Sequence, residues 1–304
     1  MPATRDDASS SEGSRQAPTG GSDEAVGRPL LPSMRILLLV AAVLVFLAGI
    51  QLFVFSERTD RYFAWTIEPS LTAAFLGASY WASAAFELSA GRRRQWHRAR
   101  IAVPTVFVFT SLTLVVTLVH LDRFHLDAEL ELATRAVTWA WIVVYAVVPV
   151  LMVVVWWRQA RVPGGDPPRV APLGRGLRAL VVVQAAVLAG TGMPLLVAPT
   201  WALPAWPWEL TPLTARAIGA WLTSLAVAAL HALVEDDLDR LRPAGWAWTV
   251  FALLQAVALL RYPTTPDWNR PSSWTYLVFL LSALVVGAAA LRGSRAGGVR
   301  PGAS

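Results

Sequence analysis

The sequence predicts an all-α integral membrane protein, with eight transmembrane helices arranged as two four-helix repeats of the same orientation. Three observations carry this. The apolar residues fall in long blocks, the arginines collect on alternate sides of those blocks, and the second half repeats landmarks of the first. Of 304 residues, 55% are apolar and 15% charged, where a soluble domain carries about a quarter charged. The blocks lack the one-sided 3.6-residue period of a soluble amphipathic helix and read as lipid-facing. Fifteen tryptophans suit a ring that favours the membrane interfaces.

Residues 1–33 are rich in Ser, Gly, Pro, Asp and Arg and read as a disordered cytoplasmic tail. Eight blocks follow at 34–55, 70–90, 101–121, 136–157, 176–197, 213–234, 243–261 and 273–292. Each is near the ~20 residues that cross the hydrocarbon core. The first begins too late for a typical cleaved signal peptide and reads as a signal anchor. Helix is the expected state, because a backbone in lipid must satisfy its own hydrogen bonds and the blocks lack the alternation of a barrel. The first repeat then covers 34–157 and the second 176–292. A cytoplasmic linker (158–175) joins them, and a short cytoplasmic tail (293–304) closes the chain.

Orientation follows from the basic residues, all 26 of which are Arg. Nineteen fall in the N-terminal tail, the second, fourth and sixth loops and the C-terminal tail; six fall on the other side; Arg216 lies inside the sixth block. The positive-inside rule places the nineteen, and with them both termini, in the cytoplasm. The location expected is the plasma membrane. The basic pI is explained by this asymmetry and implies no nucleic-acid partner. With no cysteine, thiolate metal sites, disulfides and cysteine nucleophiles are excluded.

The internal repeat is read from landmarks in matching order. Leu47-Ala48-Gly49 recurs as Leu188-Ala189-Gly190 at an offset of 141. Trp65 and Pro69 recur as Trp208 and Pro212 at 143. Leu71-Thr72-Ala73 with Gly77-Ala78 recurs as Leu213-Thr214-Ala215 with Gly219-Ala220 at 142. Arg98 and Arg100 match Arg240 and Arg242 at 142, and Arg123-Phe124 matches Arg261-Tyr262 at 138. An even number of helices per half gives parallel repeats, and ligands in such proteins often sit between the halves.

Unusual residues gather at the outer mouths of the second and sixth blocks. Pro69 and Pro212 fit helix starts, where a missing N–H costs nothing. The Gly-Ala pairs offer a small face for close packing. The polar remainder is Glu68, Glu209, Thr72, Thr214 and Arg216, with His120 at the outer end of the third block. An arginine at membrane depth is functional by default. Beside a helix N-terminus, Arg216 would suit a carboxylate or phosphate. These six residues form the candidate ligand site, for a small or lipid-linked anionic ligand that is bound or transported between the repeats. A membrane enzyme acting on a lipid, with Glu68 or His120 as general acid or base, is the alternative. A structural or assembly factor is the third reading.

Other chemistry is less well supported. His120, His125, Asp122 and Asp127 could share a metal only from an irregular loop, so no metal site is assigned. The run Glu235, Asp236, Asp237 and Asp239 reads as a solvated helix end. The four-plus-four plan invites comparison with the haem A synthases, but their paired helical histidines are not matched: the second, fourth and eighth blocks contain no His. Walker, Gly-x-Ser-x-Gly, His-Glu-x-x-His and Asp-rich prenyl-diphosphate motifs are absent. The sequence implies no particular cofactor, and the bilayer is the one partner it requires.

Overall fold

A computed structural model describes residues 27–296. Among these are eight helices of 18 residues or more and no β-strand. α1 (Pro32–Gly49) continues into a π-helical turn, Ile50–Val54. α2 (Ser70–Gly91), α3 (Ala102–Val119), α4 (Leu132–Ala160) and α5 (Arg175–Val197) follow, then α6 (Pro212–Glu235), α7 (Arg242–Arg261) and α8 (Pro271–Ala296). Seven of these, all but α2, are long and apolar enough to cross a membrane. That is the signature of a helical multi-pass membrane protein.

The exception has a physical reason. α2 buries 17 of its 22 residues, including Ser79, Ser83 and Glu87. A helix enclosed by others escapes the demand for apolar side chains that lipid contact imposes. α4 and α8, by contrast, expose Val143, Val147 and Val150 and Val278, Leu281 and Val285.

Helix neighbours do not follow chain order. α1 packs on α2, α2 on α7 and α7 on α8; α5 packs on α6, α6 on α3 and α3 on α4. Thin contacts of α1 with α4 and of α5 with α8 close the ring. The two sequence halves are therefore interleaved: the third helix of each lies against the second helix of the other. Two separate bundles flanking a cleft, the arrangement the sequence suggests, do not describe this packing.

The tightest approaches of a glycine to a neighbouring backbone atom are at Gly77 and Gly219, which occupy matched positions in the two halves. A methyl group on Gly77 would lie 2.5 Å from Phe53 N, and one on Gly219 would lie 2.6 Å from Leu196 N. Both neighbours are backbone atoms near the ends of α1 and α5, so neither can swing aside.

Residues 27–31 are bound rather than loose. Gln159, fully buried, donates to Pro29 O at 3.0 Å and accepts from Leu31 N at 2.8 Å. Leu30 N donates to Arg94 O at 2.8 Å, and Arg28 N to Gly165 O at 3.2 Å. The rest of the expected tail, residues 1–26, lies outside the described residues, as do 297–304. α8 runs past the expected end of the last block to Ala296.

Candidate functional site

The chain ends of the helices define two faces, and their charges are handled differently. On the Arg-rich face the acidic run is not a solvated helix end. Asp236 adopts a left-handed φ of 46° and terminates α6, a conformation that Asp tolerates better than most residues. The turn drives Glu235 and Asp237 inward, where each is almost fully buried. Glu235 accepts from the Arg100 guanidinium through both oxygens, from Arg240 Nη1 at 3.2 Å, and faces His231 Nε2 at 3.2 Å. Asp237 accepts from Val170 N at 2.8 Å and Ala171 N at 3.3 Å. Asp236 accepts from Leu173 N at 3.1 Å. Burial alone would raise its carboxyl; that hydrogen bond and the charges of Arg178 and Arg169 outweigh it and hold the group below the usual range. The segment 161–174 is thus stitched onto the end of α6.

On the opposite face a cavity of about 870 Å³ opens between the starts of α2 and α6 and the loop from α7 to α8. Glu57, Glu68, Ser70, Trp208, Glu209, Thr211, Tyr262, Asp267 and Arg270 are among its lining. The segment ahead of α6 is fixed by a capping box. Thr211 Oγ1 accepts from Thr214 N at 3.3 Å, and Thr214 Oγ1 accepts from Thr211 N at 3.0 Å, which satisfies two otherwise free amides. Trp208 then reaches across and donates its indole N–H to Thr72 Oγ1 at 2.9 Å. Trp65, its match in the first half, packs on Phe63, Phe124 and Trp141, and its buried indole N–H finds no partner.

Two of the four carboxylates lining the cavity are compensated. Tyr262 Oη donates to Glu57 at 2.9 Å, with Arg261 3.6 Å away. Asp267 is paired with Arg270 at 3.0 Å. Glu68 and Glu209 are exposed, and among the described residues neither makes a hydrogen bond or ion pair. The cavity is therefore acidic, with its uncompensated charge on two residues placed just before α2 and α6.

The six candidate residues thus divide. Glu68 and Glu209 share the cavity lining. Thr72 and Thr214 are buried beneath it and hold its walls. Arg216 is turned elsewhere: its Nη1 donates to His120 Nε2 at 2.8 Å, and neither residue lines the cavity. Arg216 can only donate, so His120 accepts at Nε2 and carries its proton on Nδ1. Its pKa is lowered first by burial and then by the Arg216 charge. His125 is also committed, to Phe63 O at 2.9 Å and Thr66 Oγ1 at 3.1 Å.

Sequence reasoning missed Glu87. It is buried inside α2, its Oε1 accepts from Ser83 Oγ at 3.1 Å, and its Oε2 has no partner. The signal was present, since an acidic residue within an apolar block is a functional candidate by default. The chain matches no protein-family model, no curated protein and no solved structure.

Proposed function

We propose that this protein binds, and in a transport cycle could carry, a small ligand at the cavity bounded by Glu68 and Glu209, on the extracytoplasmic side of the plasma membrane. All eight long helices span the bilayer in this reading, α2 as a shielded central span, with both termini in the cytoplasm. The one-sided distribution of arginine supports that orientation.

The same reading takes the chain as a duplication. Exchanging α1 with α5, α2 with α6, α3 with α7 and α4 with α8 maps the ring of neighbours α1–α2–α7–α8–α5–α6–α3–α4 onto itself. The matched approaches of Gly77 and Gly219 fit the same two-fold relation. Glu68 and Glu209 stand in the corresponding segments before α2 and α6, so the cavity lies at the seam of the two copies.

The observation that carries the ligand class is the pair of uncompensated carboxylates. Such a concave surface with an excess of negative charge concentrates counter-ions, so a cationic group fits it better than the anionic one expected from Arg216. That expectation rested on the Arg216 charge beside the N-terminus of α6, and Arg216 donates to His120 and does not line the cavity. Thermal unfolding of the purified protein with spermidine, tetramethylammonium, phosphate and acetate tests this. Stabilisation by a cationic probe is expected, lost in Glu68→Gln and Glu209→Gln and kept in Arg216→Gln. Stabilisation by phosphate or acetate alone, lost in Arg216→Gln, would return the anionic reading.

A further inference from the structure

A second cavity, unrelated to the acidic mouth, opens between α5 and α8. It measures about 200 Å³ and is lined mainly by apolar and aromatic groups. α5 and α8 scarcely touch elsewhere. They are joined where Gln184 Nε2 donates to Ser282 Oγ at 2.9 Å, and toward the opposite face they part around Leu188, Thr191, Tyr276 and Phe279. From Gln184 to Thr191 the gap is about 10 Å long, at roughly 1.5 Å per residue. Its rim includes exposed Val187 and Thr275 and is continuous with exposed Val182, Val183, Met193 and Val278. The opening thus faces the bilayer.

The far end of the gap is closed by Trp206. Its ring is buried and its indole N–H has no partner, an arrangement that leaves a donor's desolvation uncompensated. The residue is held in place: Arg270 Nη1 donates to Trp206 O at 3.4 Å, and Asp267 N to Pro207 O at 2.9 Å. Tryptophan near the ends of membrane helices sits at the boundary between headgroups and acyl chains, the depth of a glycerolipid's ester carbonyls.

A lateral cavity between α1 and α4 offers a comparison. It has the same volume of about 200 Å³, with Tyr80, Trp141 and Tyr145 in its wall. There the aromatic donors are satisfied: Tyr80 and Tyr145 share a hydrogen bond at 2.7 Å, and Trp141 donates to Thr117 at 3.0 Å. A slot whose buried aromatic donors are all paired leaves no buried N–H or O–H for a lipid ester to meet. A slot with a buried, free N–H at its end asks for hydrocarbon carrying an acceptor.

We infer that the α5–α8 cavity is a binding site for one acyl chain of a glycerolipid, with the ester carbonyl accepting from Trp206 Nε1. The full-length protein, reconstituted in nanodiscs with phosphatidylcholine bearing a mid-chain diazirine, provides the test. Photolabelling mapped by mass spectrometry is expected to be enriched at 187–191 and 275–279 over the α1–α4 cavity. Trp206→Phe keeps an aromatic ring, smaller than the indole, and removes the donor; it is expected to lower labelling by the diester lipid about threefold or more and to leave an ether-linked analogue unchanged. Thr191→Trp fills the slot and is expected to remove labelling by both. Equal labelling of the two cavities, or diester labelling indifferent to Trp206→Phe, would overturn the assignment. Loss of both lipids in Trp206→Phe would instead assign the site to hydrocarbon alone and remove the ester contact.

Discussion

The two ends of this helical bundle both concentrate charge and use it in opposite ways. At the Arg-rich end, Glu235 and Asp237 are buried and every carboxylate from Glu235 to Asp239 has an arginine or backbone N–H partner. At the opposite end, Glu68 and Glu209 face an open cavity with no partner among the described residues. Saturated charge holds segments together, whereas unsaturated charge is left for something outside the chain. On the proposed function, the Arg-rich end serves structure and the opposite end binding.

The largest effect that could break this comparison is on stability. Glu235→Ala removes the buried carboxylate that Arg100 and Arg240 share; Arg100 keeps Asp166 and Arg240 keeps Asp237 and Pro167 O, so the loss is expected at the low end for a broken buried pair, about 3 kcal/mol. Thermal unfolding should show it plainly. A variant as stable as the parent would mean that the network is ornamental. Gly77→Leu and Gly219→Leu come next, because the added side chain meets backbone in each case. Overpacking of about 1–3 kcal/mol is expected, and similar values at both positions would sharpen the two-fold relation. Loss at one position only would weaken it.

A smaller effect concerns pH. The folded pKa of His120 is depressed, by burial first and then by Arg216. Its contribution is fully present above the unfolded value near ~6.5 and is lost as pH falls through the lower folded value, because the unfolded state takes up the proton first. Stability should fall on that acid side, and His120→Gln should flatten that part of the profile. An unchanged profile would show that the Arg216 contact carries no weight. The smallest stability effect belongs to the exposed glutamates: Glu68→Gln and Glu209→Gln should lie within about 0.5 kcal/mol of the parent while losing the cationic probe.

Much of the fold was legible in the apolar blocks. All eight correspond to long helices, and the landmarks at Pro69, Pro212, Gly77 and Gly219 fall at helix starts and close approaches. Legibility failed where partners are distant in sequence. Nothing near Glu235 announces that Arg100 reaches it from 135 residues away, so an acidic run looked solvated. Arg216 and His120 were each visible, but their pairing across 96 residues was not, and that pairing separates Arg216 from the glutamates. The interleaving of the halves was equally hidden, because an apolar block marks a long helix and not which helix stands beside it. Glu87 is different: its isolation inside an apolar block could be read and was passed over.

The absence of cysteine makes the central claim directly measurable. Single variants Glu68→Cys and Glu209→Cys can be set against Gly174→Cys, where an added Cβ has open space on the Arg-rich face. In intact cells a membrane-impermeant maleimide should label the first two and spare the third, and spermidine should slow the labelling of both. Labelling of Gly174→Cys from outside, or rates at Glu68→Cys and Glu209→Cys that spermidine leaves unchanged, would contradict an outward-facing cation-binding cavity.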